Sequence, residues 1–455
     1  MADPDWPALA GALDGDVLTP DAPDYDDVRR PAIPNFHDVR PQAIARCATP
    51  IDVAETIAFA TRHGLPFAPR SGGHCFAGGS STRGIVVDVS AMDAVAVSDG
   101  TVAVGAGTRL GPLYDALAAH DATIPAGCGP TVGVAGLVLG GGLGILGRAY
   151  GLTSDRLVSA QVVLADGRTV RCDDERDADL FWALRGAGGC RFGIVTSVEL
   201  ATVAAPRMTG FHLRWPAESA TRVVDAWQHW APDAPDGLAA SLLVRATGAA
   251  DVAPTVNVFG SMMGAEADLT PLVDDLTTRV GAEPESTLIR EGSHRDTKRL
   301  LVELFPGEEN ADHLYSKSEY FERSLPVEAI AKLVDHFADG RPDGETRILD
   351  FMPWGGAYNR VRPDATAFPH RSARFLIKHE TAAPPARHAE AIGWLTASWS
   401  VVHPWGNGGL YVNFPDSELD DWSPAYHGVN RDRLLQVKAA YDPEDRFGQA
   451  GRSSR

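Results

Sequence analysis

Three stretches of the chain hold the residue types best suited to chemistry. The first is Arg70-Ser71-Gly72-Gly73-His74, followed by Gly78-Gly79-Ser80-Ser81. The second runs from Gly127-Cys128-Gly129-Pro130-Thr131-Val132-Gly133-Val134-Ala135-Gly136 into Gly140-Gly141-Gly142-Leu143-Gly144. Clustered glycines let the backbone approach a ligand closely and turn its N–H groups toward a phosphate. Gly142-x-Gly144-x-x-Gly147 satisfies the dinucleotide fingerprint as a pattern. It lacks the strand–turn–helix setting that gives the pattern its mechanism, so it carries no weight. Either segment alone reads as tight turns; two of them, both flanked by strands, read as a cradle. The third stretch is Arg374-Phe375-Leu376-Ile377-Lys378-His379-Glu380. Side chains alternate across a strand, so Lys378 and Glu380 share one face and His379 takes the other. A paired lysine and carboxylate can hold and move a proton; solvated charges on an exposed edge strand are the rival reading. His370 and His403 read as structural or solvent-facing, and His74 by itself as a polar loop residue.

The elements that must position these groups follow from periodicity. Val53, Ile57 and Ala60 predict a helix over 49–64 that ends on Gly64. Strands are expected at 65–69, 85–89, 102–104 and 192–200, and helices at 110–120 and from 179 to 184. A hairpin over 159–170 turns at Asp166-Gly167. Beyond about Pro206, amphipathic segments at 219–231 and 327–338 alternate with β-like runs at 242–246 and 255–259, an α+β pattern lasting to about residue 405. A strand at 410–414 and a helix at 430–440 close the chain.

The chain carries 41 basic and 60 acidic residues, a net charge of −19. That charge repels phosphate backbones and anionic membranes, so nucleic acid and lipid are excluded as partners. The opening residues lack a basic, apolar leader pattern, and the apolar stretch 132–146 is too glycine-broken and short for a membrane span. Five scattered cysteines (Cys47, Cys75, Cys128, Cys172, Cys190) show no metal spacing, so no metal and a reduced, cytoplasmic setting are expected.

The segments RSGGH (70–74), PTVGVAG…LGGG (130–142), GLTSDRL (151–157), DADLFWALRGAGG (177–189), FGIVTSVE (192–199) and YVNFPD (411–416) resemble the berberine bridge enzyme-like branch of the vanillyl-alcohol oxidase superfamily. The likeness extends from Leu18 to Phe447, nearly the whole chain. It implies an α+β, two-domain PCMH-type FAD-binding fold with an antiparallel-sheet-plus-helices substrate domain. The implied division is an N-terminal extension (1–40), an FAD-binding domain (41–205), a substrate domain (206–405) and a C-terminal segment (406–455) returning to the FAD domain. The resemblance implies that Arg70, Ser71, Gly72, Gly73, His74, Gly78, Gly79, Ser80 and Ser81 wrap the FAD pyrophosphate. Val132, Gly133, Gly136 and Gly142 would line the flavin and ribityl chain, and Gly193, Ile194 and Val195 the adenosine end. Tyr411 and Asn413 join the cofactor set, and His74 matches the histidine bonded to the flavin 8α-methyl.

Two departures from the family pattern matter. Many relatives attach the flavin a second time through a cysteine in Cys-Pro-x-Val-Gly; here Gly129 stands at that position and Cys128 one residue early. A one-residue shift re-aims a side chain by several ångströms, so attachment through His74 alone is expected, with Cys128 a buried bystander. Alcohol-oxidising relatives use the last tyrosine of Tyr-x-Asn-Tyr as base, whereas this chain reads Tyr411-Val412-Asn413-Phe414, and Leu143 replaces a second tyrosine. Glu380, tuned by Lys378 as in flavin amine oxidases of the superfamily, is therefore the expected base, with Tyr411 second. The expected reaction passes a hydride from a small organic substrate, a secondary metabolite with an oxidisable C–O or C–N bond, to flavin N5. Val132 matches a position where small residues admit O2, which would yield H2O2. A carbohydrate oxidase and a flavin-binding protein without turnover are the alternatives. Trp354, Tyr358 and Trp394 belong to the pocket or the core, and the oligomeric state is not legible.

Overall fold

Thr49 and Gly64 bound the first long helix. In the computed structural model, which describes residues 4–189, 191–305, 313–416, 418–420 and 422–448, Thr49 and Asp52 form a reciprocal capping box at the head of Pro50–His63, and Gly64 closes it at φ 63°. Glycine takes that left-handed turn without a Cβ clash. Val53, Ile57 and Ala60 of this helix pack with Ala45, Phe67 and Ile85 against a four-stranded sheet ordered Asp16–Leu18, Ala43–Arg46, Ile85–Asp88, Phe67–Arg70. The last three strands run parallel, and the final one delivers the chain directly into the Ser71–His74 loop.

A second, antiparallel sheet has the order Val95–Ser98, Thr101–Gly105, Ile194–Ala201, Leu157–Val163, Thr169–Cys172. Its hairpin turns at Asp166-Gly167, with Gly167 at φ 83°. Helices Leu110–Ala118, Val134–Leu139 and Ala178–Leu184 share its apolar core.

The third sheet is the largest: seven antiparallel strands in the order Ser286–Ser293, Arg207–Pro216, Thr255–Met263, Leu238–Ala246, Thr346–Pro353, Phe375–Ala383, His313–Phe321. Its two faces have different fates. Leu242, Val244, Leu349, Phe351, Phe375 and Ile377 point into a core shared with helices Ala220–Trp230, Val327–Ala338 and His388–Val402. Trp227 sits edge-on to Phe351 and Phe375 at 5.8 and 5.9 Å; burying each such side chain stabilises the layer by roughly 1.5–3 kcal/mol. The intervening residues face away from the helices and line a cavity. Because Phe375–Ala383 lies between two other strands, the edge-strand reading of Lys378 and Glu380 is excluded.

The predicted strand at 410–414 is instead a turn in which Phe414 N–H donates to Tyr411 O at 2.8 Å. The cause is tertiary: Tyr411 and Asn413 are bonded to the 137–142 backbone, not to a neighbouring strand. The closing helix forms at Arg431–Tyr441. Leu434 and Val437 enter the core of the second sheet, while Phe447 meets Phe67 edge-on at 5.6 Å. Among the described residues no helix is long and apolar enough to cross a membrane, and Cys47, Cys75, Cys128 and Cys172 form no disulfide; Cys190 lies outside those residues.

One ion pair joins distant parts of the chain out of reach of water. Arg371 donates to both oxygens of Asp155, at 2.9 and 2.7 Å, with side-chain exposures of 1% and 9%. Arg371→Met leaves the Asp155 carboxylate uncompensated in the interior. The expected loss is about 3–5 kcal/mol, read by urea denaturation; a loss below about 1 kcal/mol would show that water reaches the pair.

Candidate active site

Register across the large sheet places the charged residues. Leu243, Asp350 and Lys378 stand in one row and Arg245, Ile348 and Glu380 in the next. All six face a cavity of about 900 Å³. Leu143, Ile145, Phe259, Leu301, Phe305 and Trp354 supply much of the remaining wall, so the charged groups form a polar patch in a largely apolar chamber.

Lys378 and Glu380 form an ion pair, as strand alternation predicts. His379 points the other way, fully buried, with Nδ1 at 2.8 Å from Ser398 Oγ; burial lowers its pKa to about 3, so it stays neutral and structural. The Lys378 ammonium also lies over two aromatic faces, Phe414 at 4.8 Å and Phe76 at 5.0 Å. Cation–π contacts of this kind hold a charge without moving a proton. Phe414, which cannot act as a base, thus has a defined partner.

Asp350 is a residue that sequence reasoning missed. Burial raises its pKa from 3.8 to about 7; Lys378 opposes that rise and Glu380 adds to it. Its one local signal was a lone carboxylate within the otherwise apolar run 348–353 of the strand Thr346–Pro353.

Tyr411 lies elsewhere. Its hydroxyl accepts Gly142 N–H at 2.9 Å and Asn413 Nδ2–H at 3.0 Å, and burial pushes its pKa up to about 12. Tyr411 and Asn413 therefore brace the Gly140–Gly142 loop from behind, apart from the cavity-lining set. Tyr358 does the same at Gly144, its hydroxyl 3.3 Å from Gly144 O, and it stacks on Trp354 at 4.5 Å; both also line the cavity. Trp394 belongs to the core of the large sheet. His370 is buried against Tyr320, and His403 holds the Glu319 carboxylate. Cys128 is half-buried and lines the cavity, which corrects the expectation that it is buried; beside it Lys298 Nζ donates to Ala126 O and Gly127 O at 2.5 and 3.0 Å.

The two glycine loops meet. A Cβ on Gly72 would fall 2.3 Å from Gly133 N, and one on Gly133 2.3 Å from Ser71 Oγ. His74 Nε2 lies 3.0 Å from Thr131 Oγ1. Burial, then the Arg109 charge, lowers the His74 pKa below its ordinary value, which favours a neutral ring. Arg70 is buried and donates to Ser80 O at 2.9 Å and Val28 O at 2.9 Å, so it shapes the loop from within. Ser71 Oγ donates to Ala106 O, and Gly79 N–H to Cys75 Sγ. Gly73 and Gly78 adopt φ 73° and 78°. Ile194 and Val195 are buried in the cores flanking their strand, while Gly193 presses on Val162, so the two side chains serve packing. Half-buried Val132 packs on the core of the second sheet.

These loops fit the cofactor the motifs imply. The buried Ser80 and Thr108 hydroxyls have no protein partner, as a phosphate-binding donor set requires. A Cβ on Gly136 would meet nothing within 4 Å, so the backbone there presents an open face. Thr131 and His74 stand at the junction of the two loops.

Comparison with known proteins agrees. The FAD binding domain family matches residues 41–173, and the berberine and berberine like family residues 410–450. An uncharacterised FAD-linked oxidoreductase of Bacillus subtilis is 31% identical over 445 residues, 96% of each chain. (R)-6-hydroxynicotine oxidase of Paenarthrobacter nicotinovorans is 31% identical over 461 residues, again 96% of each. The solved structure of BBE-like 1 from Physcomitrella patens superposes with a TM-score of 0.88 at 25% identity, covering 97% of both chains.

Proposed function

From the premise that the chain belongs to the berberine bridge enzyme-like FAD-linked oxidoreductases and is an FAD-dependent oxidase, we propose that it oxidises a small, largely apolar substrate at a C–O or C–N bond, with FAD attached through His74 alone and O2 as electron acceptor. The observation that carries this reading is the Asp350–Lys378–Glu380 patch in a largely apolar chamber of about 900 Å³, at the upper end of small-molecule pockets.

FAD, when bound, supplies the hydride acceptor; the remaining work falls to the protein. Asp350 takes the O–H or N–H proton of the substrate, its raised pKa matching a base that operates near neutrality. Glu380 is engaged by Lys378 and orients that ammonium, so the base role passes from Glu380 to Asp350. Lys378, fixed by two rings and a carboxylate, balances the charge that Asp350 acquires and surrenders. Apolar walls exclude water from the reacting bond. The Ser71–His74 and Gly78–Ser80 loops and the Val132–Gly142 segment hold the cofactor. His74 Nε2 is occupied by Thr131, which leaves Nδ1 for the bond to the flavin.

The relative named for 6-hydroxynicotine supports an amine-bearing ring as one substrate class. A peroxide-coupled screen of hydrophobic alcohols and cyclic amines alongside oligosaccharides is the test. Turnover of apolar compounds is expected, and turnover of oligosaccharides alone overturns the reading. The distinction is physical: a sugar-binding cleft needs hydrogen-bonding groups all along its walls, whereas here Leu143, Ile145, Phe259, Leu301 and Phe305 provide none through their side chains and such groups are confined to other stretches, Ser241 and Arg245 among them.

A further inference from the structure

Residues 30–37 touch three parts of the molecule at once. Pro31 and Ala32 back onto Gly73, where a Cβ would lie 3.1 Å from Ala32 N and 3.2 Å from Pro31 Cα. Phe36 covers Gly78, where a Cβ would fall 2.4 Å from its ring. The same segment contributes Arg30, Pro31, Ala32, Pro34 and His37 to the cavity wall. His37 Nε2–H donates to Pro31 O at 3.0 Å, which closes the segment on itself.

Asn35 fastens this strap to the large sheet. Its Nδ2 donates to Leu314 O at 2.8 Å, and its Oδ1 accepts Leu314 N–H at 2.8 Å. Leu314 sits on His313–Phe321, one of the two edge strands of the sheet, whose outward backbone groups have no neighbouring strand to pair with. One amide side chain replaces that strand at a single residue. Leu314 itself also lines the cavity.

We propose that Asn35 is a positioning residue: by clasping Leu314 it fixes the 30–37 strap, which sets the substrate-cavity wall and seats the His74 loop together. The strap is the physical link through which the two keep one relative placement.

The test uses the flavin-loaded protein and does not depend on knowing the substrate. Cys128 lines the cavity and so reports on its interior; Cys47 and Cys172 are sealed in the core with thiols pushed up to about 12 by burial, and peptide mapping separates Cys128 from the half-buried Cys75. Its alkylation by a bulky maleimide and by iodoacetamide is followed by peptide mass mapping in wild type and Asn35→Ala. Losing two hydrogen bonds corresponds to about tenfold in an opening equilibrium. The bulky reagent is therefore expected to gain about tenfold over the small one, and Leu314 amide exchange to accelerate by a similar factor. On any substrate the screen yields, KM rises while kcat stays within about twofold; a residue with only a structural role lowers the melting temperature without changing the reagent ratio. Asn35→Asp, which keeps the bond from Leu314 N–H and loses the other, is expected to fall between. It is the variant to measure if Asn35→Ala does not fold. An unchanged reagent ratio and unchanged Leu314 exchange in a folded variant overturn the proposal.

Discussion

Asp350→Asn is expected to slow anaerobic flavin reduction by about 10²–10⁴-fold, the range a positioned base supplies, while FAD remains bound. The pH dependence makes the assignment specific. Because burial raises the Asp350 pKa to about 7, the proton-accepting form dominates only above that pH. Wild-type reduction therefore accelerates as pH rises through about 7, and the variant loses that limb. Stability moves in the opposite sense. The folded chain retains a proton that the unfolded chain releases near the ordinary value of 3.8, so the stabilisation linked to this group is full below about pH 4 and is lost as pH rises through about 7. Relative to wild type, Asp350→Asn should gain melting temperature between pH 5 and pH 8. Unchanged reduction rates in Asp350→Asn, combined with a large loss in Glu380→Gln, would return the base role to Glu380.

The second large effect concerns the bond to the cofactor. Acid precipitation of the wild-type protein is expected to leave yellow colour in the pellet, and His74→Ala to release all of it to the supernatant. The neutral ring favoured by burial and by Arg109 is the form that can bond to carbon. Because Cys128 lines the cavity in place of a core position, it supplies a control: Cys128→Ser should keep all flavin in the pellet. Colour kept in the His74→Ala pellet, and lost only when Cys128→Ser is added to it, would mean that Cys128 also holds flavin. A wild-type supernatant carrying the colour would refute attachment outright.

Much of the fold is legible in local rules. The capping box at Thr49, the αL glycine at 64 and the turn at Asp166-Gly167 are each decided by a few neighbouring residues, and the structure follows them. The strand carrying Lys378 and Glu380 could be read by alternation alone, including the opposite aim of His379. What escaped depends on partners far along the chain. The 410–414 segment has strand-like residues but spends its side-chain bonds on a glycine loop some 270 residues earlier. Asp350 stood out locally only as a lone carboxylate, and its significance arises from register, which pairs it with Lys378 across the ladder. Nothing in its local sequence marks Asn35, whose clasp on Leu314 spans 279 positions.

The two-faced character of the seven-stranded sheet has a consequence for how this protein can change. Along strands Leu238–Ala246, Thr346–Pro353 and Phe375–Ala383, alternate residues answer to different demands, helix packing on one side and the cavity wall on the other. Substitutions at 241, 245, 348, 352 and 382 would rewrite which molecules are admitted while leaving the packed face at 242, 244, 349, 351 and 377 intact. Selectivity and foldability are thus nearly separable coordinates of the same three strands, so a lineage, or a combinatorial library, can explore new substrates here without first accumulating compensating changes in the core.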